Sequence, residues 1–76
     1  MREFNRSFYS AVGSKIKQQR LERKITREQL ARLADISDKF LYDIEVGNKG
    51  MSADTLYRIG IALGVSIDWL LGVRND

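Results

Sequence analysis

The chain has 76 residues, 43% of them apolar and 30% charged, with a net charge of +3. That length makes one small domain, able to bury a core but not a core and an enclosed pocket together. With no Cys and no His, disulfides, thiolate metal sites and the commonest general base are excluded.

The first helix is expected over about Ser7 to Arg23, from an apolar stripe at four-residue steps, Phe8, Val12 and Ile16. No clear start signal precedes it. Residues 1–9 read as an N-terminal arm or the start of this helix, 10–72 as the folded domain and 73–76 as a frayed C-terminus. From Ile25 onward one phrase is written four times: an apolar residue, a Ser or Thr, three variable positions, then Leu. The copies are Ile25-Thr26…Leu30, Ile36-Ser37…Leu41, Met51-Ser52…Leu56 and Val65-Ser66…Leu70. Each is a helix start. The hydroxyl accepts a bond from an orphan backbone N–H, and the preceding apolar residue staples against the Leu.

Helix two is expected from Arg27 to Ala34, with Thr26 and Gln29 as a capping box. Asp35 takes the turn, because Asp tolerates left-handed backbone. Helix three runs from Asp38 to Val46 and stops at Gly47, followed by the loop Asn48-Lys49-Gly50. Helix four covers Ala53 to Leu63, closed by Gly64, and helix five Ile67 to Leu71, closed by Gly72. Strand signals are absent, so the fold class is all-α, a compact five-helix domain. Thr26 and Ser37 lie eleven residues apart, room for a short helix, a tight turn and the next helix. That is the spacing of a helix-turn-helix at helices two and three.

Charge is unevenly placed. Residues 1–32 hold nine Lys/Arg against three acids, while 33–76 hold four bases and seven acids. A basic half favours a polyanion partner, although a solvated, charge-laced helix accounts for it equally well. No apolar run approaches the roughly 18–20 residues of a membrane span, and the first residues lack the apolar stretch of a signal peptide. A cytoplasmic protein is expected.

Helix three divides its faces. Leu41, Ile44 and Glu45 share one; Asp38, Lys39, Tyr42, Asp43 and Val46 share the other. The aliphatic face must pack inward, which puts Glu45 at its edge, a costly place without a cation. Arg20 extends the Phe8, Val12, Ile16 stripe by one more step, so its stem also points inward. The two are expected to form a partly buried, bidentate structural ion pair.

The stretch from Ile16 to Leu71 resembles the lambda-repressor-like (Cro/repressor, XRE-type) helix-turn-helix domains. The matching text is Ile16-Lys17-x-x-Arg20, Ile25-Thr26-Arg27-Glu28-Gln29-Leu30-Ala31, Ile36-Ser37, Leu41, Ile44-Glu45-x-Gly47, Leu56, and Ala62 through Leu71. The resemblance covers about three quarters of the chain. It implies a DNA-binding domain whose helix three enters the major groove, and it implies the Arg20–Glu45 pair as well.

DNA contacts follow from that resemblance. The start of helix two, Thr26 and Arg27, would face a phosphate, and Asn48 and Lys49 would form a second phosphate clamp. Base readout would fall to Ser37, Asp38, Lys39, Tyr42 and Asp43. The two acids depart from the family pattern. Asp38 is explained as well by the dipole of the helix start, and Asp43 by pairing with Lys39 four residues away. Ile67, Trp69, Leu70 and Val73 could form a two-fold interface, as a homodimer on a palindromic operator requires.

The leading expectation is therefore a sequence-specific regulator of transcription that binds double-stranded DNA, a repressor by resemblance. The alternative is a protein-interaction module on the same fold, antitoxin-like or an antirepressor target, favoured by the acidic outer face of helix three. An enzyme is not expected. No metal spacing and no Gly-rich phosphate loop appear, and no cofactor or small-molecule ligand is anticipated.

Overall fold

The computed structural model describes residues 5–73. The expectations for residues 1–4 and for the frayed end at 74–76 lie outside that range. The described residues form α1 (Arg6–Glu22), α2 (Arg27–Leu33), α3 (Asp38–Glu45), α4 (Ala53–Leu63) and α5 (Ile67–Leu71), with no strand among them. Helix α1 packs on α3 and also touches α4 and α5; α2 packs on α3 and α4; α4 closes on α5.

Local chemistry sets each helix start. Thr26, Ser37, Ser52 and Ser66 accept bonds from the backbone N–H three residues on, at Gln29, Phe40, Thr55 and Trp69. Thr26 completes a capping box, its own N–H donating to Gln29 Oε1 at 2.7 Å. The start signal missing from α1 is Asn5, whose side chain accepts from Phe8 N. Helix α1 therefore begins at Arg6, one residue before the expected Ser7. Helices α1, α2 and α3 each end one residue before the expected position, with Arg23, Ala34 and Val46 as C-caps.

The α2–α3 turn uses Asp35 in the left-handed region, at φ 57°. Lys24, between α1 and α2, adopts the same region at φ 56°, a position no turn residue marks in the sequence.

The four phrase leucines, Leu30, Leu41, Leu56 and Leu70, are all buried. They join Val12, Ile16, Ala31, Ala34, Ile44, Ile59 and Leu63 in one core. The stapling residues Ile25, Ile36, Met51 and Val65 pack against its edge. Phe8 departs from the expected stripe: it is exposed and sets its ring edge-on to Tyr9, with centroids 5.0 Å apart. The stripe buries only Val12, Ile16 and Arg20 because the first turns of α1 overhang the α3–α4 loop instead of the core.

Gly13 sets the distance between α1 and α3. A Cβ there would overlap the Ile44 carbonyl oxygen on the facing helix. That close approach lets Arg20 meet Glu45. Arg20 Nε donates to Glu45 Oε2 at 2.8 Å and Nη2 to Oε1 at 3.1 Å. Arg20 Nη1 also donates to the Ile25 carbonyl at 3.1 Å, tying the α1–α2 connection to the same pair. No helix among the described residues is long and apolar enough to cross a membrane.

Candidate nucleic-acid interface

Helices α2 and α3 present a continuous surface joined by an ion pair at their two starts. Arg27, the first residue of α2, donates from Nε to Asp38 Oδ1 at 2.7 Å and from Nη2 to Oδ2 at 3.4 Å. Both side chains are partly exposed. The Arg27 guanidinium also lies over the Tyr42 ring, 5.2 Å from its centroid. The hydrogen bond from Arg27 holds the Asp38 carboxyl below its ordinary pKa, and the same bond raises that of Arg27. Asp38 is thus an anion that already has a partner, and Arg27 bridges the two helix starts.

Lys39, the next residue of α3, also lies over Tyr42, its Nζ 5.8 Å from the ring centroid. The same Nζ bonds both carboxylate oxygens of Asp43, at 3.1 and 3.0 Å. Lys49, from the loop after α3, approaches Asp43 to 3.6 Å. One carboxylate therefore faces an α3 lysine and a loop lysine together. Its pKa is lowered, first by the bond from Lys39, then by the charges of Lys39 and Lys49 and a bond from Asn48.

Asp43 corrects the expected division of faces. Its side chain is only 5% exposed, so it does not lie on the outer face with Lys39 and Tyr42. The reason is the loop, which folds back on α3. The N–H groups of Asn48 and Lys49 donate to the Asp43 carbonyl at 2.8 and 3.3 Å, covering that flank of the helix. What remains exposed on α3 is Lys39, Tyr42 and Val46, with Asp38 half-exposed at its start. Ser37 and Thr26 are exposed, and their hydroxyl oxygens are engaged as caps. Phe40 packs partly against the core and does not face outward.

Leu70 is the second correction. At 1% exposure it is a core residue and cannot contribute to an interface. Ile67 is half-buried against the core, while Trp69 and Val73 are exposed. Trp69 is held by α1: Lys15 Nζ donates to its carbonyl at 2.9 Å and lies 5.2 Å from its ring centroid.

Two features have no counterpart in the sequence reading. Arg58 of α4 reaches the end of α2, donating to the carbonyls of Ala34 at 2.7 Å and Asp35 at 3.1 Å. It thereby holds the turn that fixes the α2–α3 angle. Leu33, Tyr57 and Ile61 form a second exposed apolar area on α2 and α4. An isolated Arg in an amphipathic helix carries no sequence signal for such a role. Among the described residues no cluster of potential metal ligands occurs.

Residues 16–70 match the model of the helix-turn-helix family. The chain is 41% identical over 61 residues to the immunity repressor protein of Bacillus phage phi105. That alignment covers 80% of this chain and 42% of the relative, so the chain spans less than half the relative's length. The crystal structure of the clp gene regulator ClgR from C. glutamicum is similar at a TM-score of 0.79 and 28% identity, over 84% of this chain and 83% of that one. The restriction-modification controller protein C.AhdI from Aeromonas hydrophila gives a TM-score of 0.81 over 84% of this chain and 97% of its own. At 19% identity that likeness is one of fold alone. With the family model spanning the α2–α3 unit and the Arg20–Glu45 pair beneath it, the chain belongs to the helix-turn-helix family in its lambda-repressor-like form.

Proposed function

We propose that this chain is a sequence-specific, double-stranded DNA-binding regulator of transcription, a repressor, reading the major groove with α3. The observation that carries the reading is the exposed strip Lys39, Tyr42 and Val46, bordered by Arg27 on α2 and Lys49 on the following loop. The strip offers a guanine donor in Lys39 and an apolar surface for a thymine methyl in Tyr42 and Val46. The flanking cations and the start of α2 at Thr26 suit backbone phosphates, which position a reader without specifying sequence. Asn48 and the Ser37 hydroxyl complete the contact set. Asp38 and Asp43 act as positioning residues in this reading, one for Arg27 and the other for Lys39 and Lys49. Similarity to a phage immunity repressor supports repression as the outcome.

A homodimer on a palindromic operator in the cytoplasm fits the same reading. Its two recognition helices would sit about one DNA turn apart, roughly 34 Å. Trp69, Val73 and the exposed edge of Ile67 supply the two-fold contact.

The test is selection of bound duplexes from a random pool at about 150 mM salt. A palindromic consensus is the expected result, and Lys39→Ala should then relax one defined position in each half-site. A pool without enrichment overturns the reading. A second reading, a protein-interaction module, is favoured by the exposed Leu33, Tyr57 and Ile61 area. Salt separates the two: DNA affinity resting on several phosphates falls steeply with salt, and an apolar protein contact does not.

A further inference from the structure

The first two turns of α1 lie directly on the loop between α3 and α4. Tyr9 covers Gly50 so closely that a Cβ there would fall 2.8 Å from its Cζ. Ser10 occupies the space that a side chain at Gly47 would need, and Gly47 is left-handed at φ 81°. One turn before, Arg6 Nη1 reaches the same loop, donating to the Gly47 carbonyl and to Asn48 Oδ1, each at 3.4 Å. Both bonds are long and both use one nitrogen, so the guanidinium keeps most of its donors for another acceptor.

Arg6 differs from the neighbouring cations in its counter-charge. Arg27 is paired with Asp38, and Lys39 and Lys49 share Asp43. A phosphate that takes any of those three must compete with a carboxylate already in place. Among the described residues no carboxylate pairs with Arg6. Its side chain is exposed at the edge of the loop that bears Asn48 and Lys49.

We propose that Arg6 is part of the DNA interface: with Asn48 and Lys49 it clamps one backbone phosphate beside the α3–α4 loop. The ligand is a phosphodiester oxyanion, which a guanidinium binds with two parallel bonds. The site positions the domain on the duplex and carries no base identity. It rests on the DNA-binding reading above and extends the interface from α2, α3 and their loop to α1.

The experiment measures DNA affinity against salt for the full chain and for Arg6→Ala, Arg6→Gln and Arg6→Lys, on one enriched duplex and one unrelated duplex. Loss of one phosphate contact lowers the log–log salt slope by about 0.9 for each bound subunit. The affinity ratio of the natural chain to Arg6→Ala should therefore grow roughly threefold per bound subunit, and about tenfold for a bound dimer, between 200 and 50 mM salt, equally on both duplexes. Arg6→Lys should keep the natural slope. If Arg6→Ala lowers the unfolding midpoint, Arg6→Gln carries the test, since it keeps a donor for Gly47 and Asn48 but has no charge. Parallel salt slopes for the natural chain and Arg6→Gln overturn the clamp and leave the DNA-binding reading standing. A natural chain without salt-dependent affinity for either duplex overturns both.

Discussion

Arg20 and Glu45 are both removed from solvent, and each satisfies the other through two parallel bonds. Removing one partner strands a buried charge. Glu45→Ala is therefore expected to destabilise the domain by about 3–5 kcal/mol, read as a shift in the urea midpoint. Replacing both partners with apolar residues, Arg20→Met together with Glu45→Leu, should recover most of that loss, because no charge is left unpaired. An unshifted midpoint in Glu45→Ala would mean that the pair does not hold α1 against α3. The outer pairs act through pH instead. The Asp38 carboxyl lies below its ordinary value of 3.8, chiefly through the bond from Arg27, and Asp43 lies below it chiefly through Lys39. A carboxyl depressed in the folded state adds stability that is fully present above its unfolded pKa. That stability is lost as pH falls through the lower folded value. Stability should thus be level with respect to these two groups at neutral pH and decline below about pH 4. Asp38→Asn should flatten part of that decline in melting curves taken between about pH 2 and pH 6. An acid limb identical to that of the natural chain would show that Asp38 gains nothing from Arg27 in solution.

Among the elements, the α1–α3 contact is set by one missing side chain. Alanine favours a helix interior over glycine by about 1 kcal/mol, so Gly13→Ala would stabilise an isolated α1. In the domain its Cβ meets the Ile44 carbonyl oxygen, a backbone atom that cannot swing aside. Overpacking of this kind costs about 1–3 kcal/mol, and the net effect on thermal unfolding should be destabilising. A rise in melting temperature would mean that the two helices sit farther apart. This contact also marks the limit of reading the sequence. Thr26, Ser37, Ser52 and Ser66 were legible as caps because a cap is decided by atoms three residues away. Arg20 and Glu45 were legible because each breaks an apolar face, and the two breaks resolve each other. Asp43 was not, because it stands at the border between faces, and the loop from Val46 to Gly50 decides which side it joins. Arg58 was not, because its acceptors are carbonyls 24 and 23 residues away that exist as free groups only once α2 has ended. Leu70 is the opposite case: the staple rule that buries Leu30 and Leu41 buries Leu70 too, and assigning it to an interface set that rule aside.

At the scale of the whole molecule, two of the apolar areas exposed among the described residues are Trp69 with Val73 at the α5 end and Leu33 with Tyr57 and Ile61 on α2 and α4. They make different predictions for a two-fold dimer. At the α5 end, Lys15 fastens Trp69 to α1 through both its carbonyl and its ring. A preordered edge loses less entropy on docking, which favours it as the contact between copies. Val73 is exposed and outside the core, so Val73→Asp should leave the unfolding midpoint unchanged. In a dimer the two aspartates would face each other across the dyad at the cost of like-charge repulsion. Affinity for a full palindromic duplex should then fall by roughly tenfold or more, while affinity for a half-site duplex stays the same. Ile61→Asp is the matched control on the other surface. Loss of full-site affinity in Ile61→Asp, with Val73→Asp silent, would move the dyad to α4. Loss in neither would mean that each subunit binds its half-site alone, and the palindrome would then reflect two independent events. Anisotropy titrations of half-site and full-site duplexes separate the three outcomes, because only a coupled pair of subunits binds the full site more tightly than twice the half.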